Sequence, residues 1–172
     1  MSHRSALSTL ALVAIAAAPV AAAPAPPRRL GIDAAVLVPI GDYADAASLA
    51  GGPLVRAELP AGPAVVTARA GAILHAMKVD GASLIYAPIW VGGRYPLGGS
   101  GLFAAGEVGV TIAHASADTG FGDASDTKTE LGASLGVGLR RGALTVGGGL
   151  MLPDLGDTAA LYASVGYDVA AF

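Results

Sequence analysis

Apolar and polar residues alternate with a period of two along most of this chain. The clearest stretch is residues 127–152. Leu131, Ala133, Leu135, Val137 and Leu139 fall on one parity, and Lys128, Glu130, Gly132, Ser134, Gly136, Gly138 and Arg140 on the other. A period of two predicts a β-strand with one apolar face, since successive side chains point to opposite sides of the sheet. After Arg141-Gly142 the pattern resumes, with Leu144, Val146, Gly148, Leu150 and Leu152 against Ala143, Thr145, Gly147, Gly149 and Met151. Two such runs joined by a tight turn predict a hairpin.

The same period recurs along the rest of the chain. Residues 30–38 set Leu30, Ile32, Ala34, Val36 and Val38 against Gly31, Asp33, Ala35 and Leu37. Residues 40–52 read as an Asp-, Ala- and Gly-rich loop. A short strand over 53–59 puts Arg56 and Glu58 on one parity, and a longer one over 64–77 does the same for Thr67, Arg69, Gly71 and His75. Residues 83–95 place Arg94 opposite Ile85, Ala87, Ile89, Val91 and Tyr95, with Pro88 disfavouring regular pairing inside the run. Tyr86 and Trp90 share the parity of Arg94 and read as packing residues. Residues 102–115 carry Glu107, Gly109 and Thr111 on the polar parity. A polar loop is expected over 116–126, and a last strand runs from 158 to Phe172. The tight connections (60–63, 96–101, 141–142) alternate with longer ones (40–52, 116–126), as expected when turns gather on one rim of a barrel and loops on the other.

Composition decides what the apolar faces meet. The chain is 53% hydrophobic and 13% charged, against roughly a quarter charged in ordinary soluble domains. His3 and Arg4 precede an apolar run over 6–20 and small residues over 21–25, the pattern of a signal peptide cleaved after Ala22. Residues 23–29 form a polar leader, and 30–172 the folded domain. No later apolar stretch has the ~20 uninterrupted residues of a membrane helix. A soluble barrel, the rival reading, would turn the greasy parity inward around an apolar ligand and cover its outside with charge. Here the polar parity is mostly Gly, Ala and Ser with isolated charges, and Lys78 and Lys128 are the only lysines. That suits a crowded lumen better than a wetted surface. The reading is all-β: an antiparallel, up-and-down transmembrane β-barrel of about eight strands after a cleaved signal peptide. The net charge of −3 argues against a nucleic-acid partner, and the absence of Cys removes disulfides and thiolate metal sites.

Residues 30–172 resemble the small outer-membrane β-barrels of Gram-negative bacteria, the OmpA-, OmpX- and OmpW-like superfamily. The resemblance rests on the alternation, the Pro39-Ile40-Gly41-Asp42-Tyr43 and Tyr95-Pro96 corners, and terminal Phe172. There are two departures. Ala170, Asp168 and Gly166 stand where the terminal signature has apolar residues, so a bulge near 170–171 would be needed to restore register. Aromatics, at 5%, are thin for two interfacial girdles. The resemblance implies an outer-membrane location, contact with membrane lipid and lipopolysaccharide, and recognition of the C-terminal strand by the barrel assembly machinery. It also implies a monomer without cofactor. Its role would be structural or surface-exposed, with a side-chain-filled lumen and acidic external loops, and narrow OmpW-like transport of small apolar or ionic solutes is the alternative.

Three groups of residues invite chemistry. Arg56, Arg69, Arg94, Glu107, Lys128, Glu130, Arg140 and Asp168 share the polar parity and are expected to form a charge network filling the lumen. Asp118, Asp123 and Asp126 could offer oxygen ligands to a divalent cation, although their spacing matches no EF-hand loop and solvated acids are the simpler account. His114 and Ser116, with Glu130 on the next strand, have the residue types of a nucleophilic triad. That tripeptide is similar to the His-x-Ser pair of the lipid A 3-O-deacylases, and the match ends there. The chain is accordingly read as a non-enzyme. His75 and His114 are too few for a zinc site.

Overall fold

The alternating runs form antiparallel strands in a computed structural model, which describes residues 27–118, 123–156 and 158–172, without the side chain of Asp123. The signal peptide expected over 1–22 lies outside the described residues. In chain order the elements are β1 (Arg29–Ile40), α1 (Tyr43–Ala46), β2 (Ala47–Ala61), β3 (Ala64–Gly71), β4 (Ile73–Met77), β5 (Ala82–Pro96), β6 (Leu102–Asp118), β7 (Asp123–Arg141), β8 (Leu144–Asp154) and β9 (Thr158–Ala171). Consecutive strands pair, except that β3 and β4 each pair with β2 and β5 and not with one another, and β1 pairs with both β2 and β9. The sheet is therefore a closed, eight-stranded, up-and-down barrel, in which β3 and β4 are two halves of one strand. Closure leaves no free edge around the girth, which is what a sheet surrounded by hydrocarbon requires.

The break between β3 and β4 has a local cause. Pro53 on β2 and Pro88 on β5 flank it from both sides, and neither has an N–H to donate to a ladder. The register is the same on either side of the gap, from Ala70↔Ile89 to Ile73↔Tyr86. Pairing is interrupted there without a slip.

The greasy parity points outward. Along β1, Leu30, Ile32, Val36 and Val38 are exposed while Asp33, Ala35 and Leu37 are buried. Leu135, Val137, Val108 and Leu131 are each at least 60% exposed. A soluble monomer rarely presents even a few hundred Å² of contiguous apolar surface, and this belt runs around the whole barrel. The inward-facing apolar parity of a soluble ligand-binding barrel is thus the reverse of what the fold contains.

Two loops differ from the sequence reading. Residues 47–52 belong to β2 rather than to a loop, because Ala50 and Gly51 pair with Leu37 and Val36 of β1 and with His75 and Leu74 of β4. The expected loop over 116–126 is mostly hairpin, with Ser116↔Ser125 and Asp118↔Asp123 continuing the β6–β7 ladder. Polar Ser, Thr and Asp side chains suit strands that project into water as well as they suit loops.

Candidate functional site: the lumen

Inward side chains stack in layers from the end where the termini lie. The first layer is built around Arg56, whose side chain is fully buried. It is held by three carboxylates: Nε donates to Asp33 at 3.1 Å, Nη1 to Glu58 at 2.6 Å and Nη2 to Asp168 at 3.0 Å. Glu58 also accepts from Arg94 Nη1 at 2.5 Å and Arg140 Nη2 at 2.7 Å. Asp168 takes further pairs with Arg29 at 3.2 Å and Arg140 at 3.4 Å. A buried charge costs several kcal/mol unless ionic and hydrogen-bonded partners surround it, and here they come from β1, β2, β5, β7 and β9. The register makes room for them. Arg56 stands opposite Gly31 and Asp33 opposite Gly166, so both charged heads occupy the space a neighbouring Cβ would fill.

The second layer is a neutral pair. Arg69 binds Glu107 through Nε at 2.7 Å and through Nη2, while Thr67 Oγ1 donates to the other carboxylate oxygen at 2.9 Å. Ser134 Oγ lies 3.3 Å from Glu107. Beyond it Trp90, 2% exposed, donates its indole N–H to Thr111 Oγ1 at 3.2 Å. The remaining depth is apolar, with Leu37, Leu54, Ile73 and Met151 in one buried cluster. The far end is covered by α1, which sets Tyr43 against His75 and Tyr86, with ring centroids 5.8 and 6.3 Å away. His75 packs edge-on against Tyr86 at 4.5 Å, and its Nδ1 lies 3.0 Å from the Leu84 carbonyl oxygen. Burial pushes the pKa of the Tyr43 hydroxyl up, so it stays protonated.

Of the eight residues nominated for a lumen network, Arg56, Arg94, Arg140 and Asp168 meet in the first layer, and Arg69 and Glu107 in the second. Lys128 and Glu130 join neither. Lys128 sits on the projecting part of β7 with a highly exposed side chain, 3.9 Å from Asp126, and Glu130 makes no ion pair among the described residues. Parity gives the face of a strand but not the depth along it. Asp33, Glu58 and Arg29 complete the first layer without having been nominated. Asp33 shares the parity of Gly31 and Ala35, and Glu58 that of Arg56, so the alternation already contained the signal for both.

The nucleophilic set is not assembled. His114 pairs with Thr127, to whose Oγ1 its Nδ1 lies at 2.9 Å, and Ser116 Oγ meets Ser83 Oγ at 2.8 Å. Glu130 pairs with Thr111, whose side chain is buried in the lumen. Positions 111 and 114 are an odd three steps apart, so Glu130 lies on the opposite face of the sheet from His114 and Ser116. Asp118 and Asp126 are exposed, and the Asp123 side chain lies outside the described residues. Among the described residues no three His, Asp or Glu side chains stand close enough to hold a metal ion.

Neither a protein-family model nor a curated protein sequence matches the chain. Solved structures do. Ail, the attachment invasion locus protein of Yersinia pestis, superposes with a TM-score of 0.65 at 12% identity, over 84% of this chain and 97% of Ail. The N-terminal β-barrel domain of Pseudomonas aeruginosa OprF gives 0.61 at 9% identity over 84% and 98%. Neisserial surface protein A gives 0.51 at 16% over 81% and 96%. This chain has the fold of the small outer-membrane β-barrels. In that fold aromatic residues gather at the two membrane interfaces. Here Tyr95, Tyr167 and Phe172 face outward near the termini end, while Tyr43, Tyr86, Trp90, Phe103 and Tyr162 lie in the lumen. Among the described residues, the scarcity of aromatics thus falls on one girdle, opposite the termini. A register shift between Leu30↔Ala170 and Gly31↔Asp168 skips Val169. This bulge keeps Tyr167 and Val169 outward and turns Phe172 outward too, despite the intervening change of parity.

Proposed function

We propose that the protein is a surface barrel of the outer membrane whose lumen is closed by its own side chains. The observation that carries this reading is the stack from Arg56 through Trp90 to Tyr43, set inside a continuous outward apolar belt. Eight strands enclose only enough space for side chains. The termini and tight turns would lie on the periplasmic side, with α1 and the β6–β7 hairpin outside the cell. The barrel would follow a cleaved signal peptide over 1–22. Membrane lipid and lipopolysaccharide are its natural surroundings. The outward Phe172, zipped to Arg28 through paired backbone bonds of 3.0 Å, suits recognition of the last strand by the assembly machinery.

One of the Ail structures was solved with the heparin analogue sucrose octasulfate. The external end here carries Asp42, Asp45, Asp80, Asp118, Asp126 and Asp154 against Lys78 and Lys128, an acidic surface that disfavours a polysulfated sugar. Its loops are better suited to basic or cation-bridged partners. Planar-bilayer recording tests the closed lumen. Electrical silence is expected, and discrete steps of current would replace this reading with the narrow-channel alternative.

A further inference from the structure

The end of the lumen nearest the termini holds more positive charge than it neutralises. Four arginines, Arg29, Arg56, Arg94 and Arg140, meet three carboxylates, Asp33, Glu58 and Asp168. Arg56 commits Nε and both terminal nitrogens to those acids. Arg29 and Arg94 do not. Each donates from Nη1 to one carboxylate, and Arg94 keeps a buried Nε without a hydrogen-bond partner. A guanidinium carries five N–H donors, so both retain unspent ones. These two, Arg140 and Glu58, whose carboxylate is engaged by Arg56, Arg94 and Arg140, border a cavity of about 270 Å³ with apolar walls that include Val65, Pro96, Leu102 and Phe103. The Arg94 guanidinium carbon stands 4.7 Å from the centre of the Phe103 ring, fixing one cationic wall against an apolar one.

We infer that this cavity binds a small carboxylate with an apolar body, admitted from the side of the membrane on which the termini lie. A single surplus charge matches a monoanion. The planar fork of an arginine matches a carboxylate through two parallel N–H···O bonds. The apolar walls leave room for a body the size of a benzene ring, below the 300–1,000 Å³ typical of drug-sized sites. A phosphate dianion would overcompensate the charge and leave the apolar walls unfilled. The inference depends on the charges of the first layer and not on whether the barrel conducts.

The test is a titration of the protein, refolded in zwitterionic micelles, with sodium benzoate, read by NMR on the arginine side-chain N–H signals. Saturable binding at one site per chain, with arginine signals shifting, is expected. Benzamide, the neutral isostere, and inorganic phosphate should each bind at least tenfold more weakly. R29Q, which removes the surplus charge at the accessible rim, should weaken benzoate at least tenfold while the barrel keeps its heat-dependent gel mobility. Non-saturating benzoate, or benzamide or phosphate binding as well as benzoate, would overturn the assignment. If R29Q does not fold, the three-ligand comparison on the unaltered protein decides by itself.

Discussion

Arg56 is the residue on which the closed lumen turns. Replacing it with Met would leave Asp33, Glu58 and Asp168 facing one another with Arg29, Arg94 and Arg140 at their edges. Loss of one partner from a buried ion cluster costs about 3–5 kcal/mol, so R56M should lower unfolding stability in urea by that order. An R56M barrel as stable as the parent would show that the cluster contributes no net stability. Trp90, the chain's single tryptophan, makes the apolar half of the lumen directly visible. Its emission should be blue-shifted and poorly quenched by acrylamide in the folded barrel, and strongly quenched after heating in SDS. Its packing has a counterpart at Gly132, where an added Cβ would lie 2.8 Å from both the Trp90 ring and the Pro153 carbonyl oxygen. Because backbone cannot yield as a side chain can, G132A should destabilise by about 1–3 kcal/mol, measured in the same urea titration.

At the scale of single strands, alternation made the fold legible and then reached its limit. Leu135 and Ser134 have opposite surroundings because period-two geometry forces them apart, and that was readable residue by residue. Lys128 and Glu130 share the parity of Ser134 yet sit beyond the layers it belongs to, since nothing in a local pattern marks depth. The pairing of Arg56 with Asp33 and Asp168 depends on how strands are staggered around the barrel, which is a property of closure rather than of any one strand. The four-residue α1 was hidden for a different reason: one helical turn carries no periodicity to detect. The outward face yields its own prediction. Leu135, 69% exposed, should be in contact with hydrocarbon, so L135R should cost about 2–4 kcal/mol when folding is measured in lipid vesicles. On a water-facing strand the same change would be nearly neutral.

The whole molecule reverses the arrangement of a soluble protein. Its apolar residues form the outer surface, and its buried charges find their ionic partners inside. Neither half of that arrangement is stable without the other: the belt needs lipid, and the lumen charges need the closed wall to hold their partners in place. The most direct test is membrane fractionation followed by comparison of boiled and unboiled samples on an SDS gel. Recovery with the outer membrane is expected, together with a faster, compact band that shifts to the mobility of the unfolded chain on boiling. A soluble periplasmic protein with no change of mobility would contradict it.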